Sequence, residues 1–186
     1  MKHPETRVEV YAIKVTLLGT SPPVWRRILV PREITLQNLH RTLQTVMGWT
    51  NSHLHQFVLQ RQGFSHTRSR GETKVANEKG TRLGELIWVV GASLLYEYDF
   101  GDAWQHELLL EKVLIGDESF KQICVAGKRC CPPEDCGGPQ GFAELLNALG
   151  DTNHPGHEEA SEWLADYVPE SFSADEINRR LRRRKN

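Results

Sequence analysis

The sequence predicts an α+β domain, with strands in the first part of the chain and helices in the last. Apolar and polar residues alternate in residues 11–17, 94–100 and 104–110, which is the period of a strand with one buried face. A strong helical stripe lies between these strands at residues 36–47, and three more helical segments follow residue 138. Because strands and helices do not alternate along the chain, a parallel α/β sheet is not expected.

The N-terminal half is predicted to form a hairpin, a helix and a further strand. Residues 11–17 and 24–30 are the two strands of the hairpin, and a turn rich in glycine and proline joins them. The helix begins after its N-cap, Thr35, and stops at Gly48. Residues 53–60 return to the strand period. A hairpin followed by a helix and further strands is similar to a β-grasp arrangement.

The C-terminal half is predicted to contain a second hairpin, a long loop and three helices. The hairpin turns at residues 101–103, and the last helix carries a capping box from Ser173 to Glu176. We therefore expect one domain over residues 1–186, in which the elements of the sheet part follow one another along the chain in the order β-β-α-β-β-β. An antiparallel or mixed sheet with one packed helix occupies residues 7–115, a Cys/Pro/Gly loop 116–139, and helices 139–184. The polar segment 61–82 is expected to be a loop with an irregular strand at most.

Composition is that of a cytosolic globular protein. The chain has 186 residues, 39% hydrophobic content and a net charge of −1, which argues against a protein that coats nucleic acid over its whole surface. The first residues lack the apolar stretch of a signal peptide, and no apolar run reaches membrane-spanning length. We expect a cytoplasmic protein that makes no membrane contact.

All four cysteines lie within residues 124–136, in a segment rich in proline, glycine and charge. In a reducing compartment such a cluster indicates buried structural thiols, metal ligands or a reactive thiol, rather than disulfides. Zinc commonly uses Cys-x₂₋₄-Cys pairs, and Cys131 and Cys136 have that spacing, with Cys124 or an imidazole completing the set. The candidate metal ligands are therefore Cys124, Cys131 and Cys136, with zinc as the candidate ion. A reactive thiol would need a lowered pKa, for which Lys128, Arg129 or the following helix N-terminus is the expected cause.

Several long strings resemble the plasmid pRiA4b ORF-three-like family, some members of which are insertion-element passenger proteins labelled TnpR-like. The strings PPVWRR, GWTNSHLHQF, YDFGDAWQHE and CPPEDCGG occur in one order, and the resemblance covers nearly the whole chain. It implies a small α+β domain that is linked to plasmids and transposons and has no established biochemical role. The TnpR label suggests a recombinase, but the first strand has no serine and no arginine after Arg7. We therefore discount recombinase activity.

Histidines and aspartates form the candidate catalytic set. His53 and His55 are two residues apart and would share a strand face, and Asp99, Asp102 and His106 flank the second hairpin. If these strands are neighbours, the side chains could converge into a metal site or an acid–base pair. The alternative is that the aspartates bond to backbone amides of the turn and that the histidines are half-buried.

Basic residues form two candidate nucleic-acid contacts. Arg26 and Arg27 follow Trp25, and such a combination can stack on bases or bind phosphate, or can simply anchor the sheet. The C-terminal helix carries six cations that would bind phosphate or merely be solvated: Arg179, Arg180, Arg182, Arg183, Arg184 and Lys185.

These observations favour a non-enzymatic accessory or binding protein of a mobile element, with nucleic acid or a protein as its partner. The competing prediction is a metal-dependent enzyme, hydrolytic in type, built on the histidine, aspartate and cysteine set. A Walker loop, GxGxxG, G-x-S-x-G and HExxH are all absent, which excludes several common enzyme classes.

Overall fold

A computed structural model describes residues 7–60, 72–74 and 77–183. It contains seven strands: β1 Arg7–Leu17, β2 Trp25–Pro31, β3 His55–Gln60, β4 Glu72–Lys74, β5 Ser93–Tyr98, β6 Trp104–Asp117 and β7 Ile123–Lys128. The helices are α1 Leu36–Met47, α2 Leu83–Leu86, α3 Gly138–Gly150, α4 His157–Trp163 and α5 Ala174–Arg183. The prediction of an α+β fold with strands before a helical C-terminal part is confirmed.

The strands form one sheet in the order β4-β3-β5-β6-β1-β2-β7. Every pair of described strands is antiparallel, so the sheet is antiparallel rather than mixed. The predicted hairpins are β1–β2 and β5–β6, and the long strand β6 joins them by pairing with β1 from Arg7 to Leu17.

Helix α1 covers one face of this sheet and buries the main core. Thr35 caps its N-terminus by accepting a hydrogen bond from Asn38 N, and Gly48 ends it with a left-handed φ of 86°. Its apolar stripe, including Leu39 and Leu43, is fully buried in one cluster with the inward residues of β1, β5 and β6. The opposite face is more open and carries Arg27, which donates to Glu111 from Nε at 2.5 Å and from Nη2 at 2.9 Å.

Part of the predicted Cys/Pro/Gly loop is a strand. β7 pairs with β2, and Cys124 is buried in the core at 1% exposure. The prediction of a loop across residues 116–139 is therefore wrong for residues 123–128. A buried free cysteine packs like a small apolar side chain. Cys124 therefore contributes to the core, while β7 pairs with β2 through its backbone. The short helix α2 was also not predicted, and residues 61–71 and 75–76 of the predicted polar loop lie outside the described residues.

No helix in the described part of the chain has the length and apolar character that crossing a bilayer requires.

Acid destabilisation is expected from His106, which is 0% exposed in β6. Burial lowers the pKa of His106 to about 4, against a usual value of 6.5. Between these two pH values the unfolded chain binds a proton that the folded chain does not, so stability falls as pH drops from 6.5 towards 4. By linkage, lowering the pH from 7 to 5 should cost about 2 kcal/mol through this residue alone. Urea unfolding of wild type and His106→Leu at both pH values measures this, and an equal loss in the two proteins would contradict it.

Candidate metal centre

Three segments that are distant in sequence meet at one end of the sheet. They are residues 49–54 after α1, the turn 99–103 between β5 and β6, and the segment 129–137 that leads into α3. Trp49 Nε1 donates to Pro132 O at 2.9 Å, Thr50 N donates to Glu134 Oε2 at 2.9 Å, and Gly137 N donates to Asp102 Oδ2 at 3.2 Å. These bonds link each segment to at least one of the others.

Tyr98 and Glu134 connect the segments at the centre of this region. The Tyr98 hydroxyl donates to Glu134 Oε1 at 2.5 Å and accepts from the backbone N–H groups of Ser52 at 3.0 Å and His53 at 3.3 Å. The Trp49 ring stacks on the Tyr98 ring, with centroids 5.1 Å apart. Burial is the largest cause that raises the pKa of Tyr98, so the phenol stays protonated and keeps donating to Glu134 at neutral pH. Tyr98 therefore places the backbone of His53 and the segment that carries Asp135.

His53, Asp99 and Asp135 bring their donor atoms together. His53 Nδ1 lies 3.7 Å from Asp99 Oδ2, and His53 Nε2 lies 3.1 Å from Asp135 Oδ1. One donor atom from each residue lies within 4.8 Å of the others. Asp99 and Asp135 both have left-handed backbones, with φ of 58° and 61°. Aspartate is among the residues that tolerate this conformation best, and both carboxylates reach His53 from it.

The arrangement has the features of a divalent-metal site. His53 Nε2 is buried and makes no hydrogen bond of acceptable geometry within the described residues, although Asp135 is close. Asp99 uses its other oxygen, Oδ1, to accept from Gly101 N at 3.0 Å, whereas Oδ2 faces His53 and accepts no hydrogen bond from a described residue. Nitrogen and carboxylate donors suit zinc, manganese and iron(II), and bonds of about 2.1 Å to one ion place its donors roughly 3–4 Å apart.

The other predicted catalytic residues lie elsewhere. His55 stacks on His40 with ring centroids 3.5 Å apart, and its Nε2 lies 2.9 Å from Glu78 Oε2. Asp102 binds the backbone of Gly137 rather than joining the cluster. The structure thus brings together His53 and Asp99 from the predicted set and adds Asp135.

His106 is a core residue. Its Nδ1 lies 3.3 Å from the carbonyl oxygen of Tyr96, so Nδ1 carries the proton and Nε2 keeps a lone pair. Nε2 is fully buried without a hydrogen-bond partner in the described part of the chain. The rings of Trp49 and His106 meet edge to face with centroids 5.2 Å apart, so Trp49 further encloses the imidazole. His106 is therefore closed off from solvent and from substrate.

The cysteines do not form a ligand group with one another within the described residues, where the His53 cluster is the one set of three donors found. Cys124 lies in β7, Cys131 contacts Met47 Sδ at 3.5 Å, and Cys136 precedes α3. Burial raises the pKa of each of the four thiols, to about 12 for Cys131 and Cys136. This geometry fits buried neutral thiols and gives no support to the predicted zinc ligands Cys124, Cys131 and Cys136.

The two arginines of β2 are already engaged. Arg26 is 3% exposed and donates to backbone carbonyls, so it cannot reach a phosphate backbone at the surface. Arg27 pairs with Glu111 and lies over the Trp25 ring at 5.3 Å. These contacts fit the alternative in which Arg26 and Arg27 anchor the sheet better than they fit nucleic-acid contact.

The arginines of α5 are outside the core. Arg179, Arg182 and Arg183 are exposed and form no ion pair with any described residue, whereas Arg180 pairs with Glu176 on the same helix. Asn178 fixes the helix to β7 by accepting from Cys124 N and donating to Cys124 O, both at 2.8 Å. Arg184 and Lys185 lie outside the described residues.

Comparison with known proteins identifies the family to which this chain belongs. The model of the plasmid pRiA4b ORF-3-like protein family matches residues 9–176, and the chain belongs to that family. This chain is 37% identical over 175 residues to the uncharacterized protein y4hQ of Sinorhizobium fredii (strain NBRC 101917 / NGR234). The aligned region covers 91% of this chain and 89% of the relative. The crystal structure of MM3350, a protein of unknown function from Methanosarcina mazei Go1, superposes with a TM-score of 0.80 at 36% identity. That match covers 92% of this chain and 98% of the other.

Proposed function

We propose that this protein binds a divalent metal ion through His53, Asp99 and Asp135, and that the ion activates a water molecule for hydrolysis. The observation that carries the proposal is the convergence of one imidazole and two carboxylates, with all three donor atoms within 4.8 Å. Three protein ligands leave coordination positions open, and a metal-bound water at such a position has a strongly lowered pKa. The residues supply the donors, and the ion would supply the nucleophile.

A cavity of about 410 Å³ next to the proposed site has Asp135 in its lining, together with residues of α3 and α4. Its lining includes Leu145, Ala148, His154 and Trp163. A volume in this range is typical of small-molecule sites, and its mixture of apolar walls with a few polar groups is also typical. A substrate in this cavity would lie next to one of the proposed metal ligands.

Titration with metal tests the proposal. Protein purified without a His-tag and stripped by chelator should bind close to one equivalent of zinc or manganese in calorimetry. Asp99→Asn and Asp135→Asn should each weaken binding at least about 100-fold, since loss of an outer-shell partner alone costs about 10- to 100-fold. Asp166→Asn, which removes an exposed carboxylate outside the cluster, is the matched control and should bind normally.

Hydrolysis is then measured with p-nitrophenyl acetate and bis(p-nitrophenyl) phosphate, with and without the metal. Activity should require the ion and be lost in Asp135→Asn. A protein that takes up no metal would contradict the proposal. His53 would then be a structural contact that joins the turn of Asp99 to the segment of Asp135.

A second candidate function, nucleic-acid contact without sequence preference, is favoured by the three arginines of α5 that form no ion pair with a described residue. If these cations bind phosphate, duplex DNA binding should weaken steeply with salt. Changing Arg179, Arg182 and Arg183 to glutamine together should reduce the log–log salt slope by about 2.7. Fluorescence anisotropy against salt concentration measures the slope.

The matched control removes three exposed cations elsewhere, at Arg41, Lys112 and Lys121, with the same change in net charge. An equal loss of binding in both triple variants would show that only overall charge matters. An absence of binding at low salt would also refute this role.

A further inference from the structure

A buried arginine without a carboxylate partner lies beneath a second cavity. Arg26 is 3% exposed, and no described Asp or Glu comes within ion-pair distance of its guanidinium. Its Nε donates to Val46 O at 3.0 Å, and its Nη1 donates to Trp25 O at 2.8 Å and Lys128 O at 3.0 Å. Carbonyl dipoles satisfy these N–H groups, but they do not neutralise a full positive charge. A buried charge without a counter-ion is costly, so the site favours an anion.

The remaining side of the guanidinium faces Cys131. Arg26 Nη2 lies 3.1 Å from Cys131 Sγ, and the guanidinium stands over the Phe172 ring at 5.0 Å. A thiolate at Cys131 would supply the missing charge, but burial raises the pKa of this thiol to about 12, so it is neutral at physiological pH. Since guanidinium has five N–H donors and four are used here, one N–H of Nη2 is left for a further acceptor.

The cavity above Arg26 has room for a small organic molecule. Its volume is about 320 Å³, and its lining includes Arg26, Arg180 and the apolar side chains of Trp49, Tyr167, Phe172 and Ile177. Two glutamates also line it, and both already have partners. Glu134 accepts from Tyr98 and Thr50, and Glu176 pairs with Arg180. The cavity therefore combines apolar walls with a buried cation that has no ion-pair partner among the described residues.

We propose that this cavity binds a small organic carboxylate with an apolar or aromatic body. The carboxylate would accept from the free N–H of Arg26 and approach Arg180 at the rim, and the body would lie against Trp49, Tyr167 and Phe172. Charge-assisted hydrogen bonds supply orientation, and burial of the apolar body supplies most of the affinity. The site is separate from the His53 cluster and does not depend on a metal ion.

Thermal shift and calorimetry with benzoate test this inference, with benzamide as the neutral analogue of the same shape. Benzoate should raise the melting temperature saturably at millimolar concentration, and benzamide should not. Sodium chloride at equal ionic strength corrects for screening. No response to benzoate up to about 10 mM, where even weak sites of this kind are occupied, would overturn the proposal. An equal response to benzamide would show an apolar cavity without anion recognition and would also overturn it.

Single substitutions test whether benzoate binds in this cavity. Arg180→Gln should weaken benzoate binding about 3-fold, as expected for a partly exposed charge, and Arg183→Gln on the same helix should not. Ser171→Trp, which fills the mouth of the cavity, should abolish the response, whereas Ser119→Trp at an exposed site elsewhere should leave it unchanged. Arg26→Met should lose the preference for benzoate over benzamide. If Arg26→Met does not fold, the other two pairs of variants still test the proposal. Benzoate binding that is unchanged in both Arg180→Gln and Ser171→Trp would show that the ligand binds elsewhere and would overturn it.

Discussion

Replacing Leu43 with aspartate is expected to abolish folding. Leu43 is 0% exposed at the centre of α1, where it packs in the main core together with Leu39 and Met47. Losing the buried leucine costs about 2–5 kcal/mol, and placing a carboxylate there adds several more. The sum is comparable with the whole stability of a typical domain, about 5–15 kcal/mol.

Circular dichroism and thermal melting measure this effect. Arg41→Asp is the matched control because it places the same charge on the same helix at an exposed position. That variant should lose less than about 1 kcal/mol. A Leu43→Asp protein that melts at the wild-type temperature would show that α1 does not cover the sheet in the way described.

The second large effect is expected from Gly138→Ala, which acts where the segment carrying Asp135 meets the β5–β6 turn. Gly138 has a φ of 69°, and a Cβ added there would lie 2.3 Å from the backbone oxygen of Asp102. Relieving this overlap requires a shift of one backbone relative to the other, which would strain the 3.2 Å bond from Gly137 N to Asp102 Oδ2. Strain and overlap together should cost about 2–4 kcal/mol.

If the proposed metal site is correct, the same change should also weaken metal binding, since Asp135 lies on the displaced segment. Urea unfolding and zinc titration of the variant measure the two effects. Gly150→Ala is the control, because a Cβ at that helix end meets nothing within 4 Å. Equal behaviour of the two variants would mean that the close approach of Gly138 to Asp102 does not hold the segment in place.

Local sequence signals predicted the elements whose residues specify their own conformation. Thr35 and Gly48 bound α1 as predicted, because an N-cap side chain and a left-handed glycine act within one helical turn. The β1–β2 and β5–β6 hairpins followed from alternation with period two and from their turn residues. β7 was missed because its pairing partner, β2, lies about a hundred residues earlier, and only Ile123 and Val125 in β7 are strong strand formers.

The candidate site was predicted in part for the same reason. His53 and Asp99 stood out because each lies near the end of a predicted strand, at residues 53–60 and 94–100, and their side chains could converge if those strands were neighbours. Nothing local marks Asp135 as a ligand, because the metal prediction for its segment rested on the cysteines, and the rest of the segment indicates an irregular connection rich in glycine and proline. Its position depends on the hydrogen bonds that Tyr98 donates to Glu134 and that Gly137 N donates to Asp102, which join residues about 35 positions apart.

Sequence alone determined the α+β class, the main hairpins, the capped helix α1 and the family of this protein. Short-range physics suffices for these features, because hydrophobic period, capping and turn chemistry act over a few residues. Tertiary structure decided which polar groups meet. It paired His53 with Asp135 and separated His55, Asp102 and His106 from them. It also buried Arg26 in the structural role that was one of its two predicted alternatives, away from any surface where it could bind a phosphate backbone. These outcomes depend on packing between distant segments, and the burial and charge that such packing imposes on a side chain cannot be read from its neighbours in sequence.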